Sequence, residues 1–580
     1  MTKPTKDKFA IAAALLEIGT RLELKGGEYY KARAYKLGAR SVAELTEDLS
    51  KLIRQNRLTE VKGIGHALAQ QIEELYQSGE SSLLKELRGQ MPAGVVELSG
   101  VRGLNVKKIQ FLQETLGITS VQELRAAAEA GKLRELKGFG AKSEQKILEA
   151  IAGRQNRGPQ RIHIHHALRV GDQILQYLAT SPDLSQAELA GSLRRWKETV
   201  SQIVVVAATR KPRSLIDYYL RFPLVVRAEE RNDAGATAVL SEGYKATLVT
   251  VRPNEFAVAL FNATGSPEHL RKLNHLAAEG KLQRRQKRSG KAKQQAATLT
   301  EVKSEAEIYG RLGMQYVPPE LREDQGEIEA ALAGEIPEDL VTTDDIRGLV
   351  HCHTTYSDGK HSVAQMVAAA EALGMKYLTI TDHSPTASYA GGVKIDRLQR
   401  QWEEIDEVQQ QTKVRILKGT ESDIVADGSL DYPDWILEQF DVIVASIHSR
   451  YQMDEDKMTR RIVTAMRQPV FKIWGHALGR LIQKRPPFAC RVEEILDVIS
   501  ESRAAVEING DPYRLDMEPR WLREARRRKI KFVISVDAHS TGALNNVKFG
   551  VGIARRASIR KGEVLNTLGV AAFQKAVRPL

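Results

Sequence analysis

The carboxyl-terminal part of the chain, from residue 346 onwards, repeats one local pattern, in which a short apolar run is followed by a histidine or an acidic residue and then by an amphipathic helical stretch. The apolar runs are IRGLV, KYLTI, VRILK, DVIVAS, VFKIW and KFVISV. Uninterrupted runs of this kind are typical of parallel strands that are buried on both faces. Strands alternating with helices predict a β/α barrel, in which functional side chains gather at the carboxyl ends of the strands.

Nine side chains that can bind a metal ion follow these runs. They are His351, His353, Asp358, His383, Glu421, His448, His476, Asp537 and His539. Any one histidine is most often an ordinary hydrogen-bonded residue, but nine donors in register at strand ends favour a shared metal cluster. Imidazole and carboxylate ligands without cysteine are typical of Zn²⁺, Mn²⁺ or Fe²⁺ in a reactive centre and not of a structural thiolate site.

Several motifs in this region resemble those of the PHP (polymerase and histidinol phosphatase) domain. The matching motifs are HxH, SDG, TDHS, SIHS, EIN and DAHS, together with Glu421. The preceding stretch YVPPELREDQGEIEAA (316–331) resembles the junction found in bacterial and archaeal family-X DNA polymerases. Because the likeness extends over nearly the whole chain, it predicts a family-X architecture for all of it.

The resemblance implies a centre of two to three divalent cations, either Mn²⁺, Zn²⁺ or Fe²⁺. One cation would be held by His351, His353, Glu421 and Asp537, with Glu421 bridging to a second. The remaining ligands would be Asp358, His383, His448, His476 and His539. A bridging hydroxide is the expected nucleophile, because a bound cation lowers the pKa of water towards neutrality.

Two arginines near these ligands are candidates for clamping phosphate during catalysis. Arg480 lies in HALGR and Arg514 in DPYRLD, and a guanidinium can bind a phosphate group through two parallel hydrogen bonds. The alternative is that both form surface salt bridges, and the sequence leaves this choice open.

Three short motifs in the amino-terminal region, VKGIG, VRGLN and LKGFG, each separate two helical stretches and resemble the helix-hairpin-helix. The expected DNA-binding positions are Gly63, Gly65, Gly103, Asn105, Gly138 and Gly140. Glycine lets the backbone approach a phosphate closely, and the free N–H groups of the next helix bind the anion. Such contacts hold DNA without reading its sequence. Asn105 replaces a glycine, and asparagine tolerates the left-handed conformation expected there.

The segment AGSLRRWKETVSQIVVVAAT (190–209) resembles the nucleotide-binding signature of family-X polymerases. Its vestigial nucleotide-binding residues would be Gly191, Ser192 and Arg195, which are either inherited scaffold or still bind a phosphate without turning it over. The aspartates that the family places on two strands are replaced by Gln202, Val204 and Thr247, and Trp196 replaces a glycine. Phosphoryl transfer by two metals needs carboxylates to hold both cations. We therefore expect no polymerisation, and we do not expect Mg²⁺ to support it.

Composition narrows the class of partner. The formal net charge of +13 favours a polyanionic partner, and the basic segment 281–293 is either a solvated loop or a phosphate-binding arm.

The chain has two cysteines, Cys352 and Cys490, which exclude a disulfide framework and favour the reducing cytoplasm. No apolar run of about 18 residues is present, so no membrane partner is expected.

These observations predict a multidomain α/β chain. An N-terminal helical, 8-kDa-like domain with a helix-hairpin-helix would occupy residues 1–85. A fingers-like helix-hairpin-helix domain would occupy residues 86–155. A degenerate nucleotidyltransferase-like α+β palm (156–262) and a thumb-like region (263–317) would follow. A linker (318–345) would then lead to a distorted β/α barrel of the PHP type (346–580).

The leading hypothesis is a metal-dependent 3′–5′ exonuclease of DNA repair, with 3′-phosphatase or abasic-site cleavage as related activities. It would act as a cytoplasmic monomer on gapped, nicked or 3′-ended DNA, independently of sequence. The first alternative is an active gap-filling polymerase with proofreading by the PHP domain. Two others are a non-catalytic scaffold that binds DNA ends and a small-molecule phosphoesterase similar to histidinol phosphatase.

Overall fold

The structure of the chain is a computed structural model. It describes residues 8–26, 28–43, 49–61, 63–77, 81–90, 98, 101, 104–136, 138–141, 143–148, 161–240, 243–278 and 302–579. The basic segment 281–293 and Gly103 lie outside these residues. The chain forms two compact units, one of residues 1–161, 176–184 and 211–250, and the other of residues 162–175, 185–210 and 251–580.

The amino-terminal part of the first unit is helical. Its helices are α1 (Lys8–Lys25), α2 (Tyr29–Ala43), α3 (Leu49–Arg54), α4 (His66–Gln77), α5 (Ser82–Gln90), α6 (Val106–Leu116) and α7 (Val121–Glu129). Two separate hydrophobic cores hold these helices, one built largely from α1 to α5 and the other from α6, α7 and their flanking segments. The described helices of this part therefore pack around two cores within one compact unit.

The next part mixes strands and helices. Its elements are β1 (Ile162–His163), α8 (Ile164–Ala179), β2 (Gln186–Ala190), α9 (Gly191–Arg194), β3 (Thr199–Val200), β4 (Gln202–Ala208), α10 (Pro212–Leu220), β5 (Val225–Asn232), β6 (Gly235–Leu240), β7 (Lys245–Val251), α11 (Phe256–Thr264) and α12 (Pro267–Ala278). β5, β6 and β7 form an antiparallel meander within the first unit. In the second unit, β1 pairs with β3 and β2 pairs with β4, both antiparallel.

Seven parallel strands form a nearly closed barrel, which confirms the predicted fold class. They are β8 (Gly348–Cys352), β9 (Tyr377–Ile380), β10 (Arg415–Asp423), β11 (Val442–Ser446), β12 (Lys472–Trp474), β13 (Ala504–Asn509) and β14 (Phe532–Ser535), in sequential order. Backbone hydrogen bonds from Val536 N to Val350 O (3.1 Å) and from His353 N to Ala538 O (2.9 Å) join the first strand to the last.

Helices surround and precede the barrel. They are α13 (Glu305–Arg311), α14 (Glu327–Ala333), α15 (Val363–Ala372), α16 (Ile395–Gln409), α17 (Asp434–Leu437), α18 (Glu455–Arg467), α19 (Val492–Glu501), α20 (Pro519–Arg527), α21 (Val547–Arg556) and α22 (Val570–Val577). Leu417, Val444 and Ile473 belong to a fully buried apolar cluster on neighbouring strands.

None of the helices that the structure describes is long and apolar enough to cross a membrane.

Candidate metal centre and DNA-binding elements

The nine predicted ligands lie at or just beyond the carboxyl ends of the barrel strands. The structure brings them into four overlapping groups, in each of which the donor atoms lie within 4.8 Å of one another. The groups are His353, Asp358, His383 and His539; His351, His353 and Asp537; His351, Glu421 and His476; and His383, Glu421 and His448. Because the groups share members, the nine side chains form one continuous cluster.

Glu421 stands at the centre of this cluster. Its carboxylate oxygens lie 2.8 Å from His476 Nε2, 3.0 Å from His383 Nδ1 and 3.2 Å from His448 Nε2. Burial alone would raise the pKa of Glu421, but the neighbouring imidazoles, led by those of His448 and His351, hold the pKa well below its usual range. An ionised carboxylate with both oxygens facing different imidazoles has the arrangement of a bridging ligand.

Several buried polar atoms in the cluster have no hydrogen-bond partner. They include both ring nitrogens of His353 and Nδ1 of His476. Unpaired buried donors and acceptors normally cost about 1–3 kcal/mol each. A divalent cation would satisfy them together, so the residues present fit a metal centre. Burial also lowers the pKa of His353 to about 3, which keeps the ring in the neutral form that binds metal.

Three of the nine residues adopt a left-handed backbone conformation, with φ of +69° at His351, +23° at His476 and +46° at Asp537. Such a conformation is costly for a residue other than glycine and persists where the surrounding structure enforces it, commonly at functional sites. The backbone is therefore strained at the positions that direct these side chains into the cluster.

A second layer of side chains orients the ligands. Nδ1 of His351 lies 2.5 Å from Oε1 of Glu507, and Nδ1 of His448 hydrogen bonds to Asp423. Oε2 of Glu507 also accepts the backbone N–H of His476. Carboxylates in this position fix the orientation of a metal-binding imidazole and raise its basicity. The sequence alone gave no role to Glu507 or Asp423. Two signals were present: Glu507 belongs to the EIN motif, and Asp423 lies two residues after Glu421 on the same strand.

The two candidate arginines have different surroundings. Nε of Arg514 lies 3.1 Å from Oδ2 of Asp537, and its buried Nη1 has no hydrogen-bond partner. Nε of Arg480 donates to the carbonyl oxygen of Arg514 (2.8 Å), and its other nitrogens face Leu515 O, Glu518 and Glu198. The structure thus brings Arg514 to the cluster with a spare donor, whereas the Arg480 guanidinium is occupied by protein groups.

The described residues of the three glycine motifs share one backbone hydrogen bond. In each, a backbone N–H donates to the carbonyl oxygen three residues earlier, at 3.0–3.1 Å: Ile64 to Val61, Leu104 to Val101, and Phe139 to Leu136. Gly63 and Gly138 have φ of +92° and +89°, which only glycine adopts readily. Gly65 and Gly140 are exposed, and a Cβ at either would meet nothing within 4 Å.

One detail of the second motif differs from expectation. Asn105 has an extended backbone (φ −109°, ψ 170°), and its side chain accepts a hydrogen bond of 2.9 Å from Lys108 N. The expectation of a left-handed turn at this residue was wrong, because asparagine here caps the amino terminus of α6, a role that requires an extended conformation.

The three positions at which the sequence predicts lost palm aspartates belong to none of the candidate metal groups in the described part of the chain. Gln202 is exposed at the start of β4, Val204 pairs with Ala190, and Oγ1 of Thr247 lies 3.0 Å from that of Thr237. None of the candidate metal groups among the described residues includes them.

The residues of the nucleotide-binding signature serve local packing. Gly191 has φ of +67°, and a Cβ there would lie 3.4 Å from Cγ2 of Val204. Ser192 follows it in the short helix α9, where its carbonyl oxygen accepts a hydrogen bond of 3.1 Å from Lys197 N. Arg195 is buried, and its Nε lies 2.7 Å from Oε1 of Glu323.

Four regions of the chain match known protein families. Residues 350–511 match the PHP domain, and residues 259–323 match the DNA polymerase beta thumb. Residues 6–81 match a helix-hairpin-helix domain, and residues 95–152 match the SAM-like helix-hairpin-helix tandem. The barrel and its cluster therefore define a PHP-domain protein, and the PHP domain implies that it binds divalent metal ions.

Similar proteins extend this assignment to the whole chain. The DNA polymerase/3′-5′ exonuclease PolX of Bacillus subtilis (strain 168) is 34% identical over 571 residues, which cover 97% of this chain and 98% of that protein. A "probable phosphatase" of Thermoanaerobacter sp. (strain X514) is 26% identical over 234 residues, 37% of this chain and 89% of that protein. The chain belongs to the family-X DNA polymerases that carry a PHP domain.

Proposed function

We propose that this protein is a metal-dependent DNA phosphodiesterase, and specifically a 3′–5′ exonuclease. The observation that carries the proposal is the cluster of nine imidazole and carboxylate side chains around Glu421, with buried donor atoms left unpaired. The exonuclease named in the similar Bacillus subtilis protein supports the same activity.

The chemistry divides between bound cations and the protein. Two to three cations, Mn²⁺, Zn²⁺ or Fe²⁺, would be held by the nine ligands and would supply an activated water and neutralise phosphate charge. Glu507 and Asp423 hold the rings of His351 and His448 in place. Arg514 offers its unpaired Nη1 to a phosphate oxygen, while Arg480 has fewer donors available for that role.

The helix-hairpin-helix motifs would deliver the substrate. Gly65, which precedes α4, and Gly140 are exposed, and a Cβ at either would meet nothing within 4 Å. A phosphate could therefore approach the backbone N–H groups there, which suits sequence-independent binding of gapped, nicked or 3′-ended DNA. We propose that the protein works as a monomer in the cytoplasm.

We further propose that the palm does not polymerise. Gln202, Val204 and Thr247 supply no anionic ligand, and two cations cannot be held for in-line attack without carboxylates. The alternative of a gap-filling polymerase therefore lacks a metal site in the described palm residues.

A second activity, removal of a 3′-phosphate, is favoured by one observation. The proteins named as probable phosphatases from Thermoanaerobacter sp. (strain X514) and Caldanaerobacter subterraneus align with about a third of this chain and most of their own length. The same cluster could hydrolyse a phosphomonoester at a DNA 3′ end.

Digestion of 5′-labelled single-stranded, gapped and 3′-phosphorylated DNA with Mn²⁺ tests these proposals. We expect products shortened progressively from the 3′ end, and conversion of the 3′-phosphate to a hydroxyl. Release of short products from the 5′ end, or no cleavage with any divalent cation, would contradict the proposed function.

A further inference from the structure

A short ribbon of the palm region lies in the same compact unit as the barrel. It consists of residues 162–166 and 196–200, and we call it the palm ribbon. β1 and β3 pair within it, with Ile162 opposite Val200 and His163 opposite Thr199. A hydrogen bond of 3.0 Å from Ile164 N to Glu198 O extends the pairing by one residue.

Glu198 of the palm ribbon contacts two arginines of the barrel. Its Oε1 lies 3.4 Å from Arg480 Nη2, and its Oε2 lies 3.2 Å from Arg556 Nη1. Burial would raise the pKa of Glu198, but Arg556 and Arg480 hold the pKa below its usual range. One ionised carboxylate of the palm thus joins the loop after β12 to the end of α21.

Arg480 carries this contact to the metal cluster. Its Nε donates to Arg514 O at 2.8 Å, and its Nη2 donates to Leu515 O. The Arg514 side chain in turn lies beside Asp537, one of the nine ligands, at 3.1 Å. Glu198 and the cluster are therefore connected through Arg480 and Arg514. The side chain of Arg480 holds the backbone of Arg514, and the side chain of Arg514 contacts the cluster.

Two further contacts fix the palm ribbon against the barrel. The rings of His163 and His165 meet the ring of Tyr513 edge-on, with centroids 5.2 Å and 4.9 Å away. The Trp196 indole lies on Gly552 of α21, where an added Cβ would be only 2.3 Å from its Cε3 atom. The Trp196 side chain therefore fits against α21 only because residue 552 is a glycine.

We propose that the palm ribbon is a positioning element for the PHP site, in which Glu198 acts through Arg480 to hold Arg514 where it binds phosphate. This inference rests on the proposed function, because it concerns how Arg514 contacts the scissile phosphate. The signature residues have protein partners in the same unit: Arg194 with Glu305 and Arg195 with Glu323.

A double-mutant cycle between Glu198→Ala and Arg514→Ala tests the coupling in the full chain. The substrate is bis(p-nitrophenyl) phosphate with Mn²⁺, and inorganic phosphate serves as a competitive inhibitor. Glu198→Ala should raise KM and the phosphate inhibition constant about tenfold, which corresponds to about 1.4 kcal/mol of lost phosphate binding. In the Arg514→Ala background, adding Glu198→Ala should change neither constant further. Glu198→Gln alone should give a KM between those of the wild type and Glu198→Ala.

Three controls make the result specific. Glu501→Ala removes an exposed glutamate from the end of α19 and should leave KM unchanged. Metal content should be the same in Glu198→Ala as in the wild type, and its circular dichroism spectrum should remain native. Gly552→Ala, which displaces Trp196, should also raise KM, whereas Gly562→Ala should not, because a Cβ there meets nothing within 4 Å.

The possible failures are distinguishable. Wild-type protein that hydrolyses the phosphodiester while Glu198→Ala keeps the wild-type KM would overturn this inference alone. An equal effect of Glu198→Ala with and without Arg514 would also overturn it, since Glu198 would then act elsewhere. Absence of metal-dependent hydrolysis by the wild type would remove the proposed function and the inference with it.

Discussion

Oε1 of Glu421 lies 2.8 Å from Nε2 of His476, although the two residues are 55 positions apart in the chain. Glu421 is on β10 and His476 follows β12, with β11 between them. Parallel strands in sequential order bring such distant residues to one end of a barrel. The contact shows how the repeated strand–ligand–helix pattern becomes a single cluster.

The layer of carboxylates behind the ligands should matter nearly as much as the ligands. Glu507→Gln keeps the size of the side chain but removes the charge that faces His351 Nδ1. We expect metal affinity or activity to fall about 10- to 100-fold, the usual effect of losing such a partner. Manganese titration followed by hydrolysis rates measures both. Glu501→Gln, at an exposed position, is the matched control, and equal behaviour of the two variants would refute the role.

DNA binding should depend on the open surface at the glycine motifs. Gly65→Glu combined with Gly140→Glu places two carboxylates where a Cβ meets nothing, so repulsion of phosphate is expected without strain. Affinity for DNA should fall at least about tenfold at low salt, and the dependence of affinity on salt should become weaker. Fluorescence anisotropy across a salt series measures both quantities. Gly89→Glu, equally exposed on α5, should bind as the wild type does; if it binds as weakly as the double variant, the motifs have no special role.

Stability should depend on the buried Glu305. Its carboxylate pairs with Arg194 at 2.7 Å and with Arg322, which is fully buried. Glu305→Gln leaves Arg322 buried without a counter-charge and should lower the free energy of unfolding by about 3–5 kcal/mol at pH 7. Urea unfolding measures the difference, and Glu268→Gln, which breaks an exposed pair with Arg271, should change it by less than about 1 kcal/mol.

The effect of Glu305 should disappear in acid. Burial would raise the pKa of Glu305, but Arg194 and Arg322 hold the pKa below that of the unfolded chain. A carboxyl group with a lowered pKa contributes stability above its unfolded pKa of about 4.3 and loses the contribution as pH falls through its folded pKa. The gap between the wild type and Glu305→Gln should therefore shrink below about pH 4. A gap that stays constant down to pH 3 would show that the charge is not the cause.

No primer extension is expected from this protein. With Mg²⁺ or Mn²⁺, gapped DNA and all four nucleotides, His353→Ala should extend no primer, because Gln202, Val204 and Thr247 hold no cations. Gln202→Asp with Val204→Asp should not restore extension, since Thr247 and Trp196 remain. Gel analysis of a labelled primer measures the result. Template-dependent extension by His353→Ala would mean that the palm has another metal site.

The barrel and the gathering of nine candidate ligands at one end could be predicted because parallel strands buried on both faces leave continuous apolar runs, and each run ends beside a candidate ligand. β13 was not among the six runs, since Glu507 interrupts its apolar sequence. The orienting carboxylates Glu507 and Asp423 were also missed, because their roles depend on which imidazole they face. That information comes from contacts between strands and is not present in local spacing.

The palm shows the same limit. Its signature residues could be located in the sequence, but their partners could not, because Glu198 meets Arg480 across 282 positions. The turn at Asn105 was predicted in the wrong conformation, since a cap and a left-handed turn use the same residue types. Local pattern thus identified the elements, and long-range packing decided what their side chains contact.

The most direct test compares hydrolysis of 5′-labelled single-stranded DNA by the wild type, His353→Ala and Asp537→Ala in Mn²⁺. His275→Ala, an exposed histidine of α12, is the matched control. We predict 3′-shortened products with the wild type and His275→Ala, and none with the two ligand variants, whose circular dichroism spectra should remain native. Cleavage at the wild-type rate by folded His353→Ala or Asp537→Ala would contradict the assignment of the nuclease site to this cluster.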